Sequence, residues 1–222
     1  MRVSGALRAA IASAVAAAAL LAPVAAPDVL PVAGAACPDV EVIFARGRLE
    51  SPGAGILGNA FFNALQSKLS KSVDLYAVKY PANTEVDIGA NDMSQRVQYM
   101  INNCPNTQLV LGGYSLGAAA TDLVIAVPIA AFGFRNPLPP GAGDKVAAVV
   151  LFGNGSQWVG PIVSFNPAFA NKTIELCHGE DPICNPADPD TWENNWPQHL
   201  AKAYLGAGMV NQAADFAVGK LA

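Results

Sequence analysis

The chain has 222 residues, of which 52% are hydrophobic and only 14% charged, and its formal net charge is −4 at pH 7. A negative net charge argues against nucleic acid as a partner. Residues 1–36 have the pattern of a secretory signal peptide, because Arg2 and Arg8 precede an Ala-rich apolar run and Ala33-Gly34-Ala35 offers a small-residue cleavage site. We therefore expect a secreted protein, extracellular or associated with the cell wall.

Two other interpretations of this segment stay open. A retained membrane anchor is disfavoured because Pro23 and Pro27 interrupt the run and alanine outnumbers leucine in it. A lipid anchor on Cys37 is disfavoured because no aliphatic residue stands three places upstream. Without the segment the net charge becomes about −5, and residues 37–222 are enough for one domain with a substantial core.

Strand and helix patterns alternate along residues 37–222. Short apolar runs predict strands at 40–45, 73–78, 108–112, 145–152 and 173–176. Helical spacing predicts helices at 56–70, 87–103 and 118–124, and a C-terminal helix or helix pair at 199–205 and 209–221. This alternation predicts an α/β fold, a three-layer α/β/α sandwich around a mainly parallel five-stranded sheet. The irregular stretch 132–141 indicates a surface loop or flap.

The chain has four cysteines, at positions 37, 104, 177 and 184. An even number in an exported chain predicts two disulfides. Of the three possible connectivities we favour Cys37–Cys104, which ties the mature N-terminus to the end of a helix, and Cys177–Cys184, which closes a short loop. Zinc binding is the weaker alternative, because the chain has no C-x-x-C pair and only two histidines.

The pentapeptide Gly113-Tyr114-Ser115-Leu116-Gly117 has the form G-x-S-x-G and stands between a predicted strand and a predicted helix. This placement is typical of a nucleophile elbow, a sharp strand-to-helix turn that exposes a serine hydroxyl. The carboxyl ends of parallel strands, where Ser115 lies, form the ligand-binding edge of such sheets. A structural serine in a Gly-rich turn is the alternative.

A serine nucleophile needs a base, and the base needs a third group to orient it. His178 and His199 are the two candidate bases, and the order nucleophile, acid, histidine favours His199. We favour Asp181 as the acid because the Cys177–Cys184 bridge would restrain its loop, with Glu180 second; an ordinary turn aspartate before a proline is the alternative. The acids considered are Glu175, Glu180, Asp181, Asp188, Asp190 and Glu193.

Together these segments resemble the cutinase family, in particular its actinobacterial cutinase-like members, over essentially the whole mature chain. The resemblance implies an α/β-hydrolase core without a large lid. It also implies a catalytic triad of Ser115, His199 and Asp181. The segments that carry the resemblance are Val42-Ile43-Phe44-Ala45-Arg46-Gly47 followed by Glu50, the elbow with Cys104 upstream, Cys177-x-x-x-Asp181-x-x-Cys184, and His199-Leu200 followed by Tyr204.

The resemblance further implies an oxyanion hole formed by the backbone N–H groups of Leu116 and Arg48. Loss of one such donor typically costs about 3–4 kcal/mol of transition-state stabilisation. The chain departs here from fungal members, in which Gln commonly follows the nucleophile and a small hydroxyl residue stands in place of Arg48. Leu116 and Arg48 both retain a backbone N–H, so the oxyanion hole can form. The side chains that support it differ from those of the fungal members. Trp192 and Trp196 are candidates for an apolar rim around an acyl chain, and core packing of at least one of them is equally compatible.

We therefore predict a secreted serine esterase that hydrolyses carboxylic esters of short or medium acyl chains, lipid or polyester among them, without a metal or organic cofactor. The expected partners are the ester or lipid substrate and, transiently, a lipid or cell-envelope surface, with the protein a monomer. Two alternatives stay open. One is an acetylxylan-type esterase. The other, suggested by Arg48 and Leu116, is a cell-envelope binding or antigenic protein with little catalytic power.

Overall fold

A computed structural model describes residues 36–131, 133–158, 165–185 and 189–221, without the side chains of Gln157 and Trp158. The signal segment predicted for residues 1–36 lies outside these ranges, apart from Ala36. Five strands form one sheet, and all their pairings are parallel, in the order β2-β1-β3-β4-β5. The strands are β1 (Val40–Ala45), β2 (Val73–Ala77), β3 (Gln108–Tyr114), β4 (Val146–Phe152) and β5 (Thr173–Leu176).

Helices cover both faces of this sheet, which confirms the predicted three-layer α/β/α architecture. The central strands are buried on both sides because two apolar clusters pack against them, one with α1 and α6 and the other with α2 and α3. The helices are α1 (Gly55–Lys68), α2 (Val86–Asn103), α3 (Leu116–Ala126), α4 (Trp192–His199), α5 (Ala201–Gly206) and α6 (Met209–Leu221).

Two details differ from the sequence prediction. Ile56, at the start of the helix predicted for 56–70, is 58% exposed, whereas Leu57 is fully buried with Phe61 and Leu65, so Leu57 and not Ile56 contributes to the inward face of α1. The C-terminal helical region, predicted to begin at His199, begins earlier: the residues before His199 form α4, although Pro197 lies within it. A proline removes one helical hydrogen bond, and this helix ends only two residues later, so little of it is disrupted.

Two disulfides restrain segments that lie next to these strands and helices. Cys37 is bonded to Cys104 at the end of α2, which holds the first described residues against the sheet. Cys177 is bonded to Cys184 after β5. All four cysteines are thus used in disulfides, which leaves none to bind zinc.

Within the described residues, no helix combines the length and the hydrophobicity that a membrane crossing requires. The irregular segment after α3 is held on α2 instead of projecting freely. Asn91 donates its side-chain amide to the carbonyl of Gly133 and accepts from the backbone N–H of Arg135. The part of the predicted 132–141 loop that the structure describes is thus a packed surface segment; residue 132 lies outside the described ranges.

One carboxyl group, that of Asp122, is buried on α3. Its Oδ1 atom makes no hydrogen bond with any residue in the described part of the chain. Burial raises the pKa of Asp122 to about 8; neighbouring Asn154 opposes this change and the charge of Glu175 adds to it. An unpaired charge in the interior is costly, so the neutral acid is favoured there.

We predict that Asp122 makes the protein less stable as the pH rises from about 4 to about 8. The unfolded chain loses this proton near the ordinary pKa of 3.8, whereas the folded chain keeps it up to about 8, so rising pH favours unfolding in that window. Asp122→Asn should therefore raise the free energy of unfolding at pH 8 by roughly a few kcal/mol and change it little at pH 4. Urea denaturation at the two pH values measures this.

Asp215→Asn is the matched control, because Asp215 is an exposed carboxylate paired with Lys68 at 2.7 Å. It should leave the pH dependence of the wild type in place. The same dependence in Asp122→Asn as in the wild type would contradict the prediction.

Candidate active site

Ser115 stands at the junction between β3 and α3, at the carboxyl edge of the sheet. Its backbone has φ 55° and ψ −117°, a left-handed conformation that non-glycine residues rarely adopt. Its N–H donates to the carbonyl of Phe152 at the end of β4, at 2.9 Å. This strained turn lifts the serine side chain out of the sheet, which is the geometry of a nucleophile elbow.

The two glycines of the pentapeptide are required by close backbone contacts. A Cβ atom on Gly117 would lie 2.0 Å from the carbonyl oxygen of Ala45 in β1. A Cβ atom on Gly113 would lie 2.2 Å from the carbonyl oxygen of Gly117. These neighbours are backbone atoms that cannot rotate away, so any side chain would force the helix off the strands.

His199, the last residue of α4, connects the serine to a carboxylate. Its Nε2 lies 2.8 Å from Ser115 Oγ and its Nδ1 lies 2.7 Å from Asp181 Oδ2. His199 is 3% exposed and Asp181 is fully buried. The hydroxyl of Tyr114 donates to the His199 carbonyl, and the two rings are 5.3 Å apart. With an ionised Asp181, the proton of the neutral imidazole sits on Nδ1, which leaves Nε2 free to accept from the serine.

Asp181 lies in the loop that the Cys177–Cys184 bond closes. Its Oδ1 accepts from the backbone N–H of Ile183 at 2.8 Å, and its own N–H donates to the carbonyl of His178 at 3.0 Å. Burial by itself raises the pKa of Asp181, but hydrogen bonds from His199, Tyr204 and the Ile183 N–H outweigh it and hold the pKa below its ordinary value. The carboxylate is therefore ionised at neutral pH.

The other acids considered from the sequence are placed differently. Glu175 accepts from the hydroxyl of Ser156 at 2.6 Å, and Glu180, Asp190 and Glu193 have exposed side chains. Asp188 lies outside the described residues. His178, the other candidate base, donates its backbone N–H to the Tyr204 hydroxyl at 3.4 Å. His199 is the histidine that the structure brings to Ser115.

The loop after β1 is shaped by a buried arginine and a glutamate. Arg46 is 3% exposed and donates to the carbonyls of Tyr80 and Glu50, at 2.7 and 2.9 Å. The carboxylate of Glu50 accepts from the N–H of Gly47 at 2.6 Å and from the N–H of Ile56 at 2.8 Å. These bonds fix the backbone on both sides of Arg48, whose side chain is exposed.

A cavity of about 550 Å³ opens beside Ser115 and His199. Arg48 and Leu116, the two expected oxyanion residues, both line it. Neither tryptophan before His199 is in the core: Trp192 is 38% and Trp196 44% exposed, and the Trp196 ring lies 5.0 Å from that of His199. The remaining walls are largely apolar and include Leu49, Ala119, Ile183, Trp196 and Leu200.

Comparison with known proteins places this geometry in a family. The model of the family described as Cutinase matches residues 36–221. The chain belongs to the cutinase family. This membership identifies it as a carboxylic ester hydrolase, as the motifs predicted.

Individual known proteins are similar to the chain over most of its length. It is 62% identical to "Probable carboxylesterase Culp2" of Mycobacterium tuberculosis, covering 98% of this chain and 94% of that protein. It is 46% identical to "Phospholipase Culp4" of the same species, over 88% of this chain and 84% of the relative. The structure of Trichoderma reesei cutinase in complex with a C11Y4 phosphonate inhibitor superimposes with a TM-score of 0.64 at 30% identity, covering 84% of this chain and 78% of the other.

Some residues of the site escaped sequence reasoning. Gly153, directly after β4, has φ +56°, and a Cβ atom there would lie 3.0 Å from His199 Cε1 and 3.2 Å from Asp181 Oδ2. Nothing in its local sequence distinguishes it from a glycine in a simple turn. The helical nature of α4 could have been found, because Trp192, Trp196 and His199 follow the i, i+4, i+7 spacing of one helix face.

We predict that Gly153→Ala lowers kcat/KM for p-nitrophenyl butyrate by about 100-fold or more, because a methyl group there displaces His199 and Asp181 from one another. Gly141→Ala is the matched control. Gly141 also has a positive φ, +83°, but among the described residues no atom beyond its two chain neighbours lies within 4 Å of its added Cβ. The control should lose about 1 kcal/mol of stability and retain its activity. Equal kcat/KM values in the two variants would contradict the prediction.

Proposed function

We propose that this protein is a secreted serine esterase that hydrolyses carboxylic esters of short or medium acyl chains through a Ser115–His199–Asp181 triad. The observation that carries the proposal is the position of the His199 ring, with Nε2 2.8 Å from Ser115 Oγ and Nδ1 2.7 Å from Asp181 Oδ2. Ser115 and His199 open on an apolar cavity, which suits the acyl part of an ester, and Asp181 is buried behind them.

The reaction follows from this chain of contacts. Ser115 Oγ attacks the ester carbonyl carbon while His199 Nε2 takes the hydroxyl proton. The tetrahedral intermediate collapses, the C–O bond to the alcohol breaks, and the imidazolium returns the proton to the leaving alkoxide. Water then attacks the acyl-enzyme with His199 again as base, which releases the carboxylic acid and restores the serine. Asp181 keeps the imidazole in orientation and stabilises its charged form.

The oxyanion of each tetrahedral intermediate needs donors that are already in place. Leu116 is the first residue of α3, so its N–H has no partner within the helix and points out of the positive end of the helix dipole. Arg48 lies in the loop that Glu50 and Arg46 fix, and it lines the same cavity. We propose the backbone N–H groups of Leu116 and Arg48 as the oxyanion hole.

Export of the protein is supported by two features. Both disulfides are of the kind that forms and persists in oxidising compartments. The family match begins at residue 36, the last residue of the region with the signal-peptide pattern. We propose that residues 1–36 are a signal peptide and residues 37–222 the mature enzyme, which acts as a monomer and meets a lipid or cell-envelope surface transiently.

We predict that Ser115→Ala lowers kcat for p-nitrophenyl butyrate by about 10⁵-fold or more, because no other group can form the acyl-enzyme. A fluorophosphonate probe should label the wild type at pH 8 and leave Ser115→Ala unlabelled, since only an activated serine reacts readily. Ser67→Ala, which removes a hydroxyl that donates to the Ala64 carbonyl on α1, is the control and should keep full activity and labelling.

The outcomes of this experiment separate the alternatives. Turnover that persists in Ser115→Ala would refute the triad. A folded wild type that neither labels nor turns over ester would favour the envelope-binding alternative. A series of p-nitrophenyl esters, run with a phospholipid and acetylated xylan, determines the acyl preference. A marked preference for acetylated xylan would overturn a lipid or polyester substrate in favour of the acetylxylan-type alternative.

A further inference from the structure

A third side chain reaches the acid of the proposed triad. The hydroxyl of Tyr204, on α5, donates to Asp181 Oδ2 at 2.5 Å. This is the same oxygen that lies 2.7 Å from His199 Nδ1, while the other oxygen accepts from the backbone N–H of Ile183. Tyr204 and Asp181 are both fully buried. Each oxygen of the carboxylate is therefore bonded, and the one facing the histidine has two donors.

The direction of the Tyr204 proton is fixed by what else surrounds the hydroxyl. The backbone N–H of His178 donates to this oxygen at 3.4 Å, so that contact uses a lone pair and not the proton. Cys184 Sγ lies 3.4 Å away, but its disulfide with Cys177 leaves it no proton and makes it a weak acceptor. The ionised carboxylate of Asp181 is the strong acceptor within reach, so it receives the hydroxyl proton.

Packing fixes the Tyr204 ring as firmly as hydrogen bonds fix its hydroxyl. The ring meets Phe152 edge-on, with centroids 6.1 Å apart, and Tyr114 edge-on at 6.0 Å. Gly153 leaves space for the hydroxyl, because a Cβ atom there would lie 3.0 Å from the Tyr204 oxygen. The side chain is thus held in one orientation, with its hydroxyl aimed at Asp181.

Tyr204 can serve as a donor throughout the working pH range. Burial, the hydrogen bond to Asp181 and the charge of Asp181 all raise the pKa of Tyr204 well above its ordinary value. In return, the Tyr204 hydrogen bond is one of the interactions that hold the pKa of Asp181 down against the effect of burial. Among the described residues, the other titratable side chains close to this pair are His199, His178 and Tyr114.

We propose that Tyr204 is a positioning residue for the catalytic acid: its hydroxyl holds Asp181 Oδ2 opposite His199 Nδ1 and keeps the carboxylate ionised while His199 gains and loses its proton. The inference rests on the triad proposed above. Tyr204 touches neither the nucleophile nor the substrate cavity, so it acts on the reaction only through Asp181.

Tyr204→Phe tests this role, because it removes the hydroxyl and keeps the ring that packs on Phe152 and Tyr114. We expect kcat/KM for p-nitrophenyl butyrate to fall about 10- to 100-fold, the effect of losing one hydrogen bond to a buried charge. We also expect the acidic limb of the pH profile of kcat/KM to move to higher pH. The reason is that loss of the donor raises the pKa of Asp181, and this limb reports the coupled Asp181–His199 pair.

A spectroscopic readout accompanies the kinetics. The chain has only two histidines, so the Nδ1–H proton of His199 can be assigned in a proton NMR spectrum by comparison with His178→Gln. Tyr204→Phe should shift this resonance downfield, because Asp181 Oδ2 then serves one donor instead of two and binds it more strongly. If Tyr204→Phe does not fold, 3-fluorotyrosine at position 204, a stronger donor, should move the acidic limb to lower pH.

Tyr76→Phe is the matched control, since the Tyr76 hydroxyl also donates to a carboxylate, that of Asp92, at 3.1 Å on the α2 side of the sheet. It should change neither the pH profile nor the His199 resonance. A Tyr204→Phe enzyme with reduced stability but the wild-type pH profile and resonance would overturn the inference, showing that Tyr204 only packs. Activity that survives Ser115→Ala would instead refute the triad itself, so the two failures are distinguishable.

Discussion

The structure depends on one close crossing of backbone, where the start of α3 passes over the ends of β1 and β3. At this crossing a side chain on Gly117 would lie 2.0 Å from the Ala45 carbonyl oxygen, and Ser115 takes a left-handed conformation. This backbone conformation is unfavourable for a serine. It persists because the buried strands on either side are closely packed and do not shift to relieve the strain. The consequence is a serine hydroxyl and a free helix N-terminus at the same edge of the sheet.

The other groups reach this edge from separate parts of the chain, and each is held by its own restraint. His199 ends a two-turn helix, with its carbonyl bonded to the Tyr114 hydroxyl. Asp181 lies in a loop closed by a disulfide. The loop after β1 is fixed by the carboxylate of Glu50, which binds N–H groups on both sides of it. The positions of the side chains in the site are therefore set by several separately restrained segments and not by one continuous element.

Burial makes the polar interactions beneath the site strong. Asp181 is ionised in the interior because it receives hydrogen bonds from a histidine, a tyrosine and a backbone amide, whereas Asp122 on α3 has an oxygen without a partner among the described residues and its pKa rises to about 8. The same low dielectric environment thus keeps one carboxyl charged and the other neutral, according to the donors that each one meets.

The sequence by itself determined the order of elements, the parallel sheet, the elbow and the choice of Ser115, because strand and helix periodicity and short motifs are local properties. The predicted pairing of Cys177 with Cys184 rested on their short separation, and the selection of Asp181 followed from it. What only the tertiary structure decided depends on contacts between distant segments: the space at Gly153, the hydrogen bond from Tyr204 to Asp181, and the burial of Leu57 instead of Ile56 at the start of α1. These features depend on which backbone and side-chain atoms come into contact across the sheet. Such contacts join residues that are far apart in the sequence, so no local sequence pattern predicts them.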